Sequence, residues 1–167
     1  TIHRDVCEKG FDRELNSFVE SYGSKLLDAS ILLLPSVGFL PPSDSRVRGT
    51  LQAIEQHLMR DGFVLRHDPR EVSSETQPIE GAFLACSLWL ADAYVLTGEI
   101  AKAEALFGRV VAIANDLGLL AEEFDTVACR QTGNFPQALT HIALINTAHN
   151  LSAARQSTRK PAMQRSQ

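Results

Sequence analysis

The sequence predicts an all-α fold, and three observations carry that prediction. Apolar residues recur at intervals of four, three and four in two separate stretches, Val47, Leu51, Ile54, Leu58 and then Leu106, Val110, Ile113, Leu117. Between them, Gly81 to Thr97 carries apolar side chains around nearly its whole circumference, as a helix buried on most sides does. The breaks between these stretches hold Gly, Pro or Asp, residues that end helices and make turns.

Taken in order, residues 1–10 read as the end of a helix closed by Gly10, and Gly23 to Leu34 as a second helix stopped by Pro35. Phe39-Leu40-Pro41-Pro42-Ser43-Asp44 makes a turn. A third helix runs from Arg46 to Asp61 with one apolar stripe and ends at Gly62. Phe63 to Arg66 is a short strand or an extended segment, and Asp68 to Pro78 a polar loop long enough to be a functional edge. Gly98 separates the buried Gly81–Thr97 helix from a helix over Ile100 to Leu117, and Gly118 stands where a left-handed cap residue belongs, so the two form an antiparallel hairpin. Phe135 to Leu151 gives a last helix with Leu139, Ile142, Ala143 and Asn146 on one face. About six helices in antiparallel hairpins result.

With 167 residues and 44% hydrophobic content the chain fits one domain and can bury a sizeable core. Its most apolar run, Ile31 to Pro42, is broken by Pro35 and Gly38 and falls short of the roughly 20 residues a bilayer requires, so no membrane partner is expected. The net charge of −4 is uneven: residues 152–167 hold Arg155, Arg159, Lys160 and Arg165 and no acid, which leaves 12 basic against 20 acidic side chains in residues 1–151. An acidic body argues against nucleic acid as a partner, and the basic segment 152–167 reads as a disordered tail. Cys7, Cys86 and Cys129 are odd in number and far apart, which fits free thiols in a reducing, cytoplasmic compartment. The five histidines show no zinc-type spacing, so no metal is expected, and no Gly-rich phosphate loop or Gly-x-Ser-x-Gly elbow is present.

Chemistry-bearing residues concentrate in one connection. Glu122, Glu123 and Asp125 place three acids within four residues, after Leu119-Leu120 and before Asn134-Phe135-Pro136-Gln137, whose amides and aromatic ring suit a sugar-sized pocket. Adjacent carboxylates in a site that partly excludes water raise each other's pKa, which suits general acid/base work; a solvated turn after a helix is the plainer alternative. Glu80 and Asp28 are candidate acceptors for sugar hydroxyls; the alternatives are a favourable charge at a helix N-terminus for Glu80 and exposure on a polar face for Asp28. Tyr22-Gly23-Ser24 is a second polar and aromatic cluster, in which Ser24 has the type of a helix cap.

Several of these segments together carry a family resemblance. Tyr22-Gly23-Ser24-x-x-Leu27-Asp28-Ala29-Ser30, Leu33-Leu34-Pro35-x-x-Gly38-Phe39-Leu40-Pro41-Pro42, Glu80-Gly81-Ala82-Phe83-Leu84-Ala85-Cys86-Ser87-x-Trp89-Leu90, and Leu119 to Asp125 through Gly133 to Ala138 resemble, in this order, bacterial glucoamylases and trehalases of glycoside hydrolase family 15. The resemblance spans residues 1–151 and implies the C-terminal half of a catalytic domain built as an (α/α)6 barrel. It implies hydrolysis of α-glucosidic bonds with inversion, on trehalose or a glucose-containing oligosaccharide, with no cofactor. Inversion needs a carboxylic acid for the leaving oxygen and a carboxylate that activates water, about 6.5–9.5 Å apart. The family's base falls on Glu122, and its general acid lies upstream of Thr1, in the N-terminal half of the barrel, which becomes the implied partner of a fragment inactive alone. Tyr22, Asp28, Glu80 and Glu123 carry over as substrate-site residues. Ser73 to Pro78 departs from a commonly Gly-rich loop, and Thr126 to Cys129 from a turn that often ends in Thr-Gly.

Two other readings compete. Trp89-Leu90-Ala91-x-x-Tyr94 with Ala103-x-x-x-Phe107 resembles part of a tetratricopeptide unit, an interaction module, although neither residues 50–84 nor 118–151 repeat it. A degenerate sugar-binding remnant is the other.

Overall fold

The computed structural model describes residues 1–69 and 80–164, with side chains to 157. Its described residues form five α-helices, one 3₁₀ helix and seven short strands: α1 (Ile2–Lys9), β1 (Phe11–Asp12), β2 (Ser17–Phe18), the 3₁₀ helix (Ala29–Leu33), α2 (Ser45–His57), β3 (Met59–Arg60), β4 (Phe63–Val64), β5 (Ala82–Phe83), α3 (Leu84–Thr97), α4 (Ile100–Ala112), β6 (Glu123–Asp125), β7 (Arg130–Thr132) and α5 (Ala138–Gln164). The fold is helix-rich as expected, and it adds three small antiparallel sheets that the sequence reading did not foresee, β1-β2, β3-β4 and β5-β6-β7.

The centre is α3. Leu84, Cys86, Leu88 and Leu90 are all fully buried, as its all-round apolar sequence requires. It packs against α4 and α5 on one side and against β4 and the 3₁₀ helix on the other. Gly98, with φ of +86°, closes the helix as a left-handed cap and turns the chain into α4, so the expected hairpin forms. Polar side chains stitch this core to its neighbours: the Val64 N–H donates to Ser87 Oγ at 2.9 Å, and Thr147 Oγ1 donates to the Leu88 carbonyl at 3.3 Å.

Where elements differ from expectation, a specific local bond decides. The helix expected over Gly23 to Leu34 shrinks to the 3₁₀ helix, because Asp28 is extended, pairs with His67 in a β-bridge and caps the 3₁₀ turn by accepting the Ser30 N–H. Ser24 is no helix cap; its hydroxyl oxygen accepts the Leu26 N–H at 3.0 Å and shapes a turn. α2 stops at His57 rather than Asp61 because Met59-Arg60 pairs with Phe63-Val64 around Asp61-Gly62, both with positive φ. α4 stops at Ala112 because Asn115 Oδ1 accepts the N–H groups of Leu117 and Leu119 and ends the helix. α3 starts at Leu84, since Ala82 and Phe83 are committed to β5. The expected polar loop Asp68 to Pro78, with Ser73 to Pro78, lies mostly outside the described residues.

α5 is the largest departure. The break expected at residue 151 is absent: the helix continues to Gln164, with no Gly or Pro between Leu151 and Lys160, and Arg155 Nε donates to Glu104 Oε1 at 2.6 Å. Several of its larger apolar side chains point outward. Thr140, Ala143, Thr147 and Leu151 are buried against the core, whereas Leu139, Ile142 and Ile145 are 44%, 56% and 67% exposed. Of the four residues expected on one face, Leu139, Ile142 and Asn146 face out and Ala143 alone is buried.

Candidate active site

The acidic connection is a strand. β6 pairs with β5 through Ala82–Phe124 and Phe83–Glu123 and with β7 through Glu123–Thr132, Phe124–Gln131 and Asp125–Arg130. Glu122 sits immediately before it, and its backbone is bonded on both sides: its N–H donates to the Asn134 carbonyl at 3.0 Å, and its carbonyl accepts the Leu84 N–H at 3.0 Å. The preceding Ala121 is held by Gln131 Oε1 on its N–H and by Thr140 Oγ1, which donates to its carbonyl at 3.0 Å.

The Glu122 side chain is fixed through one oxygen. Oε2 accepts the Asn134 N–H at 3.1 Å and Asn134 Nδ2 at 2.8 Å, while Oε1 accepts no hydrogen bond among the described residues. Gly133 allows this approach, because a Cβ there would lie 3.0 Å from Glu122 Oε2, on a backbone with φ of +77°. A half-buried carboxylate oriented by two donors on one oxygen and open on the other can accept a proton from water in a fixed direction.

Glu123 faces differently. Its Oε2 accepts the Gly81 N–H at 2.9 Å, which ties β6 to the start of β5. Burial pushes its carboxyl above the ordinary range; the Gly81 N–H opposes this, and the charges of Glu80 and Glu122 add to it. Glu80 is exposed, and its charge and that of Glu122 both act on Glu123. Glu80 is not at the N-terminus of α3, because β5 intervenes. Asp125 is a turn former: its Oδ1 accepts the N–H groups of Val127 and Ala128.

The remaining expected residues divide. Asp28 lies with Arg66 and His67: its Oδ2 is 3.7 Å from Arg66 Nε and 3.4 Å from His67 Nδ1. Arg66 in turn lies over the Phe83 ring, 5.8 Å from its centroid, and Phe83 is the register partner of Glu123. Asp28 is thus connected to the strand position of Glu123 through Arg66 and Phe83. Tyr22 goes elsewhere: it is 53% exposed and packs by α1, with Lys9 Nζ 5.9 Å from its ring centre. Arg66 is the main residue that sequence reasoning missed. It ends the apolar run Phe63-Val64-Leu65, and only the β-bridge that folds it back onto Asp28 marks it out. Among the described residues no group of three or more His, Cys, Asp or Glu side chains is placed to hold a metal ion.

The family model described as glycosyl hydrolases family 15 matches residues 1–149, nearly the whole chain. The chain belongs to glycosyl hydrolase family 15. Curated relatives include a trehalase of Mycobacterium tuberculosis, 45% identical over 145 residues that cover 87% of this chain and 21% of the relative. A trehalase of Thermoplasma volcanium is 40% identical over 153 residues, 92% of this chain and 24% of the relative. Among solved structures, a glycosidase variant in complex with glucose aligns with a TM-score of 0.77 at 21% identity, covering 90% of this chain and 42% of that one, which shows a shared fold. The family 15 chain therefore spans about a quarter of the length of these curated relatives. Family membership disfavours the tetratricopeptide reading, and the α3–α4 hairpin that prompted it is part of the family fold.

Proposed function

We propose that this chain supplies the general base of an inverting α-glucoside hydrolase, with Glu122 as that base and trehalose or a short maltooligosaccharide as substrate. The observation that carries the reading is the asymmetric seat of Glu122, one oxygen held by Asn134 and the other free of protein donors among the described residues. An inverting base must deprotonate a water on the face of the sugar opposite the leaving group, and a carboxylate with one oriented, open oxygen is suited to it. The trehalases among the relatives favour trehalose. Arg66, whose Nε makes no hydrogen bond among the described residues and whose guanidinium lies over the Phe83 ring, supplies donors for sugar hydroxyls. Tyr22 contributes at the edge of the substrate site rather than beside the base.

The acid that protonates the leaving oxygen comes from the remainder of an (α/α)6 barrel, outside this chain. The outward stripe of α5 supports this, because Leu139, Ile142 and Ile145 form an exposed apolar stripe that begins one turn after the Glu122–Asn134 clasp and suits a neighbouring helix of the ring. An element seated there lies next to the base. The three well-separated free cysteines favour a cytoplasmic setting.

Glu122→Gln in the full gene product tests the assignment. Loss of the base lowers kcat for trehalose on the order of 10²- to 10⁴-fold with the fold unchanged; activity within twofold of wild type would overturn it. The 167-residue chain alone is expected to release no glucose.

A further inference from the structure

We infer that Asp28 is a positioning residue: it acts through Arg66, fixing the guanidinium that the site presents to its sugar, and does not itself bind the sugar. The inference rests on the hydrolase reading above. Asp28 is carried to Arg66 by backbone, since the Ala29 N–H donates to the Arg66 carbonyl at 2.9 Å, the Asp68 N–H donates to the Leu27 carbonyl at 3.1 Å, and Asp28 and His67 form a β-bridge between them. Its carboxylate is only 16% exposed and is already engaged. Oδ1 accepts the Ser30 N–H at 2.7 Å, and Oδ2 faces Arg66 Nε at 3.7 Å and His67 Nδ1 at 3.4 Å.

Arg66 has the complementary character. Its Nε is shielded from solvent and has no hydrogen-bond partner among the described residues, so the Asp28 charge beside it is what offsets the cost of that burial. The carboxylate 3.7 Å from Nε and the Phe83 ring 5.8 Å from the guanidinium carbon together restrict a long flexible side chain. Its terminal nitrogens are the donors it offers to ligand hydroxyls. Removing the Asp28 charge therefore releases the fork without removing it.

Asp28→Asn isolates this effect, because the amide oxygen still accepts the Ser30 N–H and preserves the cap. In the 167-residue chain, ¹⁵N NMR is expected to show a distinct Arg66 Nε–H resonance that moves to the free-arginine position in Asp28→Asn, while the amides of residues 29–33 stay in place. An unmoved Nε–H resonance would overturn the inference. In the full gene product, Asp28→Asn raises KM on the order of tenfold with kcat held, the pattern of lost ground-state binding. In an Arg66→Ala background the same change adds less than about twofold, since the two residues act as one unit. Equal factors in both backgrounds would mean that Asp28 works independently, and the inference fails. A wild-type gene product that cleaves no glucoside defeats the hydrolase reading instead, and the NMR result alone then decides whether Asp28 positions Arg66.

Discussion

At Gly133 a methyl group would stand 3.0 Å from both Cβ and Oε2 of Glu122, on a backbone that L side chains rarely adopt. Gly133→Ala is therefore expected to cost more than about 1 kcal/mol in urea unfolding, where a tolerated site would gain stability from the same change. Glu123 gives a prediction of opposite sign. Its carboxyl titrates above its ordinary value in the folded chain, so it favours folding while protonated and loses that contribution as pH rises through the folded pKa. Glu123→Gln retains an oxygen for the Gly81 N–H, so it should match wild type at low pH and be the more stable protein at about pH 7. Unfolding curves at about pH 4 and pH 7 check this; a variant less stable at the higher pH would show that the ionised carboxylate is stabilising. Spacing alone does not distinguish the three acids; only the family resemblance singles out Glu122 as the base. Hydrogen bonds from Asn134, Gly81 and Val127 give them separate tasks, and the partners of Glu122 and Glu123 lie 12 and 42 residues away, where sequence spacing carries no sign of them.

Among the elements, those governed by local rules were legible. The apolar stripe of α2 and the Gly98 turn of the α3–α4 hairpin follow from residues within a few positions of one another. The start of α2 is equally local: Asp44 accepts the Arg46 N–H and pairs with its guanidinium, which holds its carboxyl at about 2. The ordinary value is 3.8, so this contribution is whole above that pH and is lost as pH falls through about 2. Asp44→Ala is expected to cost about 1 kcal/mol at about pH 7, as a lost N-cap does, and the difference should shrink below about pH 4. The three sheets were not legible. Their strands are two or three residues long, too short for an alternating pattern, and β5 meets β6 across about forty residues of sequence. The truncated helices failed for a related reason, since Asp28 and Asn115 divert the backbone with bonds that periodicity does not register.

For the whole molecule, α5 carries the clearest message. Periodicity found its apolar stripe, but the direction of that stripe is set by what lies on each side, and threonine and alanine suffice to pack against α3. The outward Leu139, Ile142 and Ile145 should make the 167-residue chain bind a hydrophobic dye such as ANS. Replacing Ile142 and Ile145 with Glu should abolish most of that signal while shifting stability by no more than about 0.5 kcal/mol per site, because the side chains are exposed. Undiminished dye binding would place the exposed apolar surface elsewhere. In the complete gene product the same stripe should be covered, with the missing acid brought opposite Glu122.

The stereochemistry of the first glucose released tests that arrangement most directly. The full gene product is mixed with an α-linked maltooligosaccharide, and proton NMR follows the anomers before they interconvert. β-Glucose appearing first is the predicted result, since a water activated by Glu122 attacks the face opposite the leaving group. Initial release of α-glucose would contradict it and remove Glu122 from the role of general base in an inverting mechanism.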